Sequence, residues 1–486
     1  MSSTHLMAST ATPRRRRFWR DLLTVRGLFT GASMLLLFLS VVIPNSLQVP
    51  TAGMLAICFL LSLHGFKLVP GLKTVLLFYT GSAMVTLIYI AVGYLNDAPW
   101  IAAAQVTAIY IVSPLLWTFI AASLSQRVGT ERLIHWLIWL ALLCCVSVAI
   151  YFALYRIGGA AAVSFFTESA NVNTSDGYSA AVMHVYGSLI FLCGGFFSSP
   201  ELIQNKLLRM LLLASLLICI ITSGRSALIL SVPIGLLLGA LLTPRTIGYK
   251  RRRSIFVTAI YGLPMLLAAI AAVFALSELG NIHLSVIFGN FIDKLSSGGG
   301  SARSGQAYAL YDGILDSGGV GVGHGIGVSY IRSTDYPWRY ELVWLATVLR
   351  VGIVGAIIYT SLFFWYAVKV TKLAMRRRLT PGMKFMFCGF MAAFVASNTN
   401  PYIEAFTFQW MYVIPVVGFF VDYSAARMAA WAPARACAAC NTCHCWPNMA
   451  SMWKFVSCSR TPICRPDMVA TCFQRENICG NITGGV

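Results

Sequence analysis

Three charged residues lie at the edges of apolar segments in this sequence, where they could carry out chemistry. Arg225 lies in a short turn between two apolar runs, Arg303 lies in a long polar segment, and Glu341 lies where that segment meets the next apolar run. Guanidinium groups bind phosphate oxygens through paired hydrogen bonds and keep their charge, so two arginines favour an anionic ligand that carries pyrophosphate. A carboxylate that is partly removed from water holds a proton more tightly, which suits a general base. We therefore predict that these three residues are the catalytic groups.

A structural interpretation of the same residues stays open. In this interpretation the Arg225 side chain reaches along the membrane to water, Arg303 is solvated, and Glu341 caps the first turn of the next helix, where a negative charge suits the helix dipole. The functional interpretation extends the site to other polar residues of the long segment. Arg332, Arg339 and His324 are predicted to bind substrate together with the two arginines.

Motifs of other enzyme classes are missing from the sequence. There is no Walker loop, no pair of histidines at helical spacing and no nucleophile-elbow serine. The glycines between Gly318 and Gly327 fit a flexible or tightly turning loop better than a dinucleotide fingerprint, because no strand and helix surround them. No clustered Asp-x-Asp set is present. We therefore expect neither a metal ion nor another cofactor, since the arginines can stabilise the charge that magnesium stabilises elsewhere.

The composition is that of a membrane protein. The 486 residues are 58% hydrophobic and 11% charged, whereas soluble proteins carry about 25% charged residues. The net charge of +20 comes from short basic clusters between apolar runs rather than from one basic face. These clusters favour a role in membrane topology over nucleic-acid binding.

Apolar runs close to the length needed to span a bilayer, roughly 20 residues, recur along the chain. Twelve are predicted to span the membrane, near residues 27–45, 49–66, 73–95, 99–124, 133–155, 179–197, 207–222, 226–242, 255–276, 342–368, 383–397 and 405–423. The first follows a basic N-terminal segment, residues 1–26, without a convincing cleavage site, so we predict that it is kept as a helix. The sequence thus predicts an all-α membrane protein with about 12 transmembrane helices.

The charges between these runs predict their orientation. Alternate loops are basic, and they contain Lys67, Lys73, Arg127, Arg132, Lys206, Arg209, Arg245, residues 250–253 and residues 369–384. The other loops contain carboxylates, which are Asp97, Glu168, Asp176, Glu278, Asp293, Asp312, Asp316, Asp335, Glu341 and Glu404. Because cytoplasmic loops are enriched in lysine and arginine, we expect both termini in the cytoplasm and the candidate site on the outer face.

Three segments outside the predicted spans differ in character. Residues 156–178 and 277–341 are long outer loops, and the second, a periplasmic loop before the tenth helix, has the composition of a folded cap. The tail, residues 424–486, contains eight of the 14 cysteines. Zinc binding and an unstructured or frame-shifted cytoplasmic end are both open for this tail, because its cysteine spacing includes no second regular pair.

Two stretches of the sequence resemble the O-antigen polymerase and ligase superfamily. One is TSGRSALIL, Thr222–Leu230, and the other contains Arg303, the glycines from Gly321 to Gly327, then Glu341, Gly352 and Gly355. Ligases of that superfamily have a histidine where this chain has Glu341, and a leucine where it has Ala307. A glutamate at this point is similar to what the polymerases show, so the resemblance favours a polymerase.

The resemblance implies a metal-independent, inverting glycosyltransferase of the bacterial inner membrane. Its substrates would be undecaprenyl-pyrophosphate-linked oligosaccharides, joined at the periplasmic face into O-antigen or exopolysaccharide. Glu341 would accept the proton of the acceptor hydroxyl, while Arg225 and Arg303 would stabilise the departing pyrophosphate. A chain-length regulator is a further candidate partner, and no nucleic acid is expected.

Two alternatives stay open. One is a ligase of the same superfamily, which would transfer finished glycan to the lipid A core. The other is a lipid-linked oligosaccharide flippase or another transporter. Transporters usually carry ionisable residues near the membrane midplane or have paired broken helices, whereas the charges of this sequence gather outside the apolar runs.

Overall fold

Apolar helices make up nearly all of the regular structure. The computed structural model describes residues 24–166, 172–173, 179–180, 183–223, 225–243, 301–330 and 334–439. Its helices are α1 (Val25–Val42), α2 (Gln48–Leu63), α3 (Pro70–Leu95), α4 (Trp100–Val106), α5 (Ser113–Arg127), α6 (Thr130–Ala162), α7 (Met183–Ser198), α8 (Lys206–Ser223), α9 (Ser226–Leu242), α10 (Ser301–Asp316), α11 (Val343–Met375), α12 (Pro381–Ala396) and α13 (Trp410–Ala439). A π-helical turn, Thr107–Val112, joins α4 to α5. One short antiparallel pair, β1 (Val172–Asn173) and β2 (Ser179–Ala180), lies between α6 and α7.

The helical membrane character predicted from composition agrees with the helix lengths. Among the described residues, five helices are long and apolar enough to cross a membrane. They are Val25–Val42, Pro70–Leu95, Trp100–Arg127, Thr130–Ala162 and Val343–Met375. Most of the other predicted spans coincide with shorter apolar helices, α2, α7, α9, α12 and the first part of α13, while the span at 207–222 coincides with α8. The ninth predicted span, 255–276, lies outside the described residues, so the count of 12 and the orientation stay predictions.

Glycines allow α7, α9 and α12 to pack at close range. A Cβ on Gly235 of α9 would lie 2.5 Å from the Gly194 carbonyl oxygen of α7. A Cβ on Gly389 of α12 would lie 2.7 Å from the Phe191 carbonyl oxygen of α7. Small residues at such contacts are typical of membrane helices, which associate through close van der Waals packing. Arg225 immediately precedes α9, so the packing of this helix helps to place it.

Helix α11 is broken at Gly352, where φ is +68° and ψ is 176°. The glycine-rich segment before α11 fills the break. The Gly323 N–H donates to the Arg350 carbonyl oxygen at 2.9 Å, and the Ile353 N–H donates to the Gly319 carbonyl oxygen at 3.0 Å. Lipid offers no partners to backbone groups, so a broken membrane helix needs partners from the protein. The segment provides them.

The same segment turns tightly. Its positive-φ glycines are Gly318, Gly319, Gly321, Gly323 and Gly325. At Gly323 a Cβ would lie 2.3 Å from the backbone nitrogen of Gly93 in α3, so only glycine permits this approach. The glycines predicted either a flexible or a tightly turning loop. The structure has a tightly turning loop, which packs between α3 and α11.

The chain divides into two compact units, Met1–Met428 and Ala429–Val486. Every side-chain contact described below lies in the first unit. Helix α13 continues past the predicted end of its span at residue 423 and ends at Ala439. Alanine, the strongest helix former, recurs through this extension. The cysteines from Cys440 onward, and with them the question of zinc, lie outside the described residues.

Candidate functional site

Arg303 and Glu341 form an ion pair at the junction of α10 and α11. The Arg303 Nε donates to the Glu341 Oε2 at 2.9 Å, and the two side chains are 25% and 26% exposed. Arg303 lies in the first turn of α10, and Glu341 lies two residues before α11. The helix in the long loop thus brings together two residues that are distant in sequence. Their partial exposure leaves both groups accessible to a ligand.

Gln306 holds the Glu341 backbone in place. This side chain lies one turn after Arg303 on α10, is buried, and accepts hydrogen bonds from the N–H groups of Glu341 and Leu342 at 3.0 Å each. These N–H groups belong to the start of α11, where a helix leaves donors without partners of its own. Gln306, rather than the Glu341 carboxylate, supplies the oxygen that accepts from them. The sequence interpretation missed Gln306, although its spacing of three from Arg303 places both on one face of a helix.

Arg225 immediately precedes α9 in an extended conformation, and its backbone N–H donates to the Ser223 hydroxyl at 3.2 Å. The charges of Arg225 and of the ion pair all influence the pKa of the Tyr402 phenol. Burial raises the pKa of Tyr402, the positive charges of Arg225 and Arg303 lower it, and the negative charge of Glu341 raises it. The structure brings Arg303 and Glu341 into contact, and the charges of all three predicted catalytic residues influence the pKa of this one phenol. Sequence interpretation missed Tyr402, because its only sequence signal is its position between two apolar runs.

The three residues predicted to bind substrate with the arginines have different environments. Arg339 is exposed, and its guanidinium carbon lies 4.6 Å from the centroid of the Tyr336 ring. Arg332 lies outside the described residues. His324 is only 2% exposed, because the turns at its neighbouring glycines fold the loop inward. Its Nε2 lies 3.3 Å from the Tyr359 hydroxyl oxygen.

The placement of His324 differs from the expectation of a ligand on the outer loop. Its backbone N–H donates to the Tyr89 carbonyl oxygen of α3 at 2.9 Å, which holds the residue in the interior. Burial, followed by the charge of Arg350, lowers the pKa of His324 to about 3. The imidazole is therefore neutral at physiological pH. A buried neutral imidazole is a poor group for binding pyrophosphate.

Arg350 and Glu404 form a second, more deeply buried ion pair. The Arg350 Nη1 lies 2.6 Å from the Glu404 Oε1, and the side chains are 5% and 11% exposed. Helical geometry predicts that Arg350 points away from Glu341, because nine residues separate them. In the structure the Arg350 side chain contacts Glu404, and Glu341 lies before the helix begins. Sequence interpretation placed Glu404 outside and did not foresee its pairing.

An apolar cavity of about 150 Å³ is lined by residues that neighbour both ion pairs along the chain. Helices α3, α5, α11 and α13 contribute most of its lining, together with the π-helical turn. Trp344 in the first turn of α11 and Ile403, which follows Tyr402, both line it. The cavity thus begins within three residues of Glu341 along the chain. Among the described residues, no group of three or more histidine, cysteine, aspartate or glutamate side chains is arranged to hold a metal ion.

Comparisons of the chain with protein-family models, with curated proteins and with solved structures each found no match. The resemblance to the O-antigen polymerase and ligase superfamily therefore depends on the residues quoted above. The case for a function depends on the geometry of the site.

Proposed function

We propose that this chain is a polysaccharide polymerase: a membrane glycosyltransferase that joins polyprenyl-pyrophosphate-linked oligosaccharide repeat units at the periplasmic face of the bacterial inner membrane. The observation that carries the proposal is the 2.9 Å ion pair between Arg303 and Glu341. The charge of Arg225 adds to it, because this charge influences the pKa of Tyr402 together with the charges of the ion pair. The reaction needs cations for a leaving pyrophosphate and a base for an acceptor hydroxyl. The site contains both.

The ion pair supports a mechanism in which the donor releases the base. Without substrate, Glu341 is bound to Arg303. A pyrophosphate that enters the site competes for the guanidinium, because phosphate oxygens bind the planar fork as carboxylates do. Once Arg303 has exchanged Glu341 for phosphate, this guanidinium no longer stabilises the negative charge of the carboxylate, which then accepts a proton more readily. Binding of the donor thereby prepares the base for the acceptor.

The chemical step is a displacement at the anomeric carbon of the donor. The acceptor hydroxyl oxygen forms a bond to this carbon as its proton passes to Glu341. The bond from the carbon to the pyrophosphate oxygen breaks, and its electron pair stays on the pyrophosphate. Arg225 and Arg303 stabilise the charge that develops there, more strongly in the transition state than in the bound donor. Attack from the opposite face inverts the anomeric centre.

The cavity suits the lipid part of such a substrate. It is lined mainly by apolar and aromatic side chains, and it lies beside the first turn of α11, directly after Glu341. Apolar surface of this kind favours hydrocarbon over water. A short part of a carrier lipid would fit in this cavity, while the rest of the lipid stays in the bilayer.

The test is a gel of surface and secreted polysaccharide from a deletion strain complemented with wild-type or variant protein. Glu341→Gln should leave single repeat units, because an amide cannot accept the proton, and removing a general base costs about 100-fold or more in rate. Asp312→Asn, which removes an exposed carboxylate from α10, is the matched control and should restore long chains. Full-length polymer from Glu341→Gln would overturn the proposal. Long chains that form but stay unattached to lipid A core would indicate the ligase instead.

Transport of the lipid-linked glycan is the second candidate function. The observation that favours it is the break of α11 at Gly352, next to the buried pair of Arg350 and Glu404, because transporters place broken helices and ionisable groups at their substrate sites. Proteoliposomes separate the two functions. A transporter moves a labelled lipid-linked oligosaccharide between leaflets without extending it, whereas the polymerase extends it without moving it.

A further inference from the structure

The buried pair of Arg350 and Glu404 connects four parts of the chain. The Tyr110 hydroxyl, in the π-helical turn, donates to the Glu404 Oε1 at 2.6 Å. The Arg350 Nη2 donates to the Trp338 carbonyl oxygen at 2.7 Å, which ties the segment before α11 to the helix itself. Glu404 ends the 3₁₀ turn Tyr402–Glu404. Removal of either charge would therefore loosen several contacts at once.

Packing alone does not explain why these two charged residues are buried. Transfer of two charges out of water costs several kcal/mol for each ion, and apolar residues of similar volume often stabilise a protein as well or better. Buried ion pairs are directional, whereas apolar contacts are not, because the hydrogen bonds of the pair fix the angle between the two elements. Ionisable residues within membrane segments are usually functional. The question is which part of the molecule this pair orients.

Both connections of the pair lead to the candidate site. Glu404 is two residues from Tyr402, the phenol influenced by the three predicted catalytic residues. Trp338 is three residues before Glu341. The turn also lies beside the start of α11, because Ile403 and Trp344 line the same cavity. The pair thus holds two segments that lead to residues of the candidate site.

We propose that Arg350 and Glu404 are a positioning pair, which fixes Tyr402 and Glu341 relative to each other through the 3₁₀ turn and the Trp338 segment. The inference rests on the proposed function for its catalytic consequence. Neither residue of the pair contacts substrate. The pair acts by orienting the groups that do.

Hydrogen exchange of the full chain in lipid nanodiscs tests the positioning directly. In the double variant Arg350→Met/Glu404→Met, the backbone amides of residues 336–342 and 398–408 should exchange at least about 10-fold faster than in wild type. Local opening of these segments breaks the ion pair in wild type, and this cost is absent in the variant. The rest of α11 should keep its protection. Lys384→Met/Glu201→Met, which removes a 3.0 Å pair between α12 and the turn after α7, is the matched control and should leave both segments unchanged. Equal exchange in wild type and the Arg350/Glu404 variant would overturn the proposal.

A polymerisation assay separates positioning from stability. Two methionines can occupy the space of the pair without leaving a lone charge, so the double variant should keep its unfolding temperature. Its turnover should still fall about 100-fold, because small displacements of catalytic groups have effects of this size. A double variant with wild-type turnover would contradict the inference.

A conservative variant covers the case in which the double variant does not fold. Arg350→Lys keeps the charge but loses the planar fork, so exchange should rise in residues 336–342 while Glu404 keeps a cationic partner. Unchanged exchange in this segment would count against the inference. If wild-type protein does not polymerise at all, the proposed function fails, and hydrogen exchange still decides whether the pair positions the two segments.

Discussion

Arg303 and Glu341 neutralise each other in the resting site, and this pairing explains how a carboxylate and an arginine can serve one reaction in turn. In the proposed mechanism, the guanidinium binds the carboxylate until a phosphate of the donor replaces it. Arg225 immediately precedes α9, and its positive charge lowers the pKa of the Tyr402 phenol, as the charge of Arg303 does. The proposed mechanism therefore depends on the planar geometry of the two arginines and not only on their charge.

Lysine at either arginine position should impair polymerisation. Arg303→Lys and Arg225→Lys keep the positive charge but lose the paired hydrogen bonds to phosphate, and the loss of one such preorganised group typically lowers turnover about 100-fold. The measurement is the initial rate of chain extension in membranes. Arg132→Lys, an exposed position at the start of α6, is the control and should retain the wild-type rate. Wild-type rates in both site variants would show that charge alone is sufficient.

His324 should make the stability of the fold depend on pH. Burial lowers its pKa to about 3, whereas a histidine in an unfolded chain titrates near about 6.5, so the unfolded chain binds the proton more tightly. The free energy of unfolding should fall as pH drops below about 6.5, by up to about 1.4 kcal/mol per pH unit, and this contribution should end near about pH 3.

Thermal unfolding in detergent between about pH 4 and pH 8 measures this dependence. His324→Gln should remove this part of the slope. His135→Gln, which changes an exposed histidine on α6, should keep it. A slope that is the same in His324→Gln and wild type would mean that the histidine does not titrate on unfolding.

At the element scale, α11 is the helix on which the site depends. It begins two residues after Glu341, carries Arg350, and is broken at Gly352 where the glycine-rich loop inserts. The break allows the Arg350 carbonyl to accept from the Gly323 N–H while its side chain reaches Glu404. The loop, the helix and the buried ion pair therefore form one connected arrangement.

Gly352→Ala should destabilise this arrangement by about 2 kcal/mol or more, because alanine is strained at positive φ and its Cβ would lie 2.2 Å from the Val320 carbonyl oxygen. Gly53→Ala provides the comparison. Gly53 lies within α2 with nothing within 4 Å of the added Cβ, so alanine should be neutral or stabilise by up to about 1 kcal/mol. Unfolding temperatures of the two purified variants measure the difference, and equal temperatures would contradict the role of the break.

The sequence predicts the elements of this protein better than their contacts. Apolar runs of suitable length reveal membrane helices, because a helix that crosses the hydrocarbon core needs apolar residues along its whole length. The break at Gly352, the helix α10 and the roles of Gln306 and Tyr402 depend on contacts between segments distant in sequence. The pairing of Arg350 with Glu404 could not be predicted from the sequence either. Helical periodicity shows on which face of a helix a side chain lies, but not which residue it contacts.

At the scale of the whole molecule, the site residues all belong to the unit Met1–Met428. The predicted catalytic residues, the buried ion pair and the cavity are contained in it. Because α13 ends at Ala439, a stop codon after this residue preserves the helix whole.

A chain that ends at Ala439 should restore polymer of wild-type length in a deletion strain, because the site and the helices that hold it remain intact. The gel of surface polysaccharide measures this, and an immunoblot of the membrane fraction controls for insertion. Normal insertion with only single repeat units would assign the tail a part in polymerisation.

The most direct test of the central claim uses purified full-length protein in nanodiscs with a fluorescent lipid-linked repeat unit from the source strain. Products are separated by length after incubation with wild type, Glu341→Gln or Asp312→Asn. We expect a ladder of extended chains with wild type and Asp312→Asn, and only the single unit with Glu341→Gln. Extension by Glu341→Gln at the wild-type rate would contradict the assignment of the carboxylate as the base, and with it the proposed mechanism.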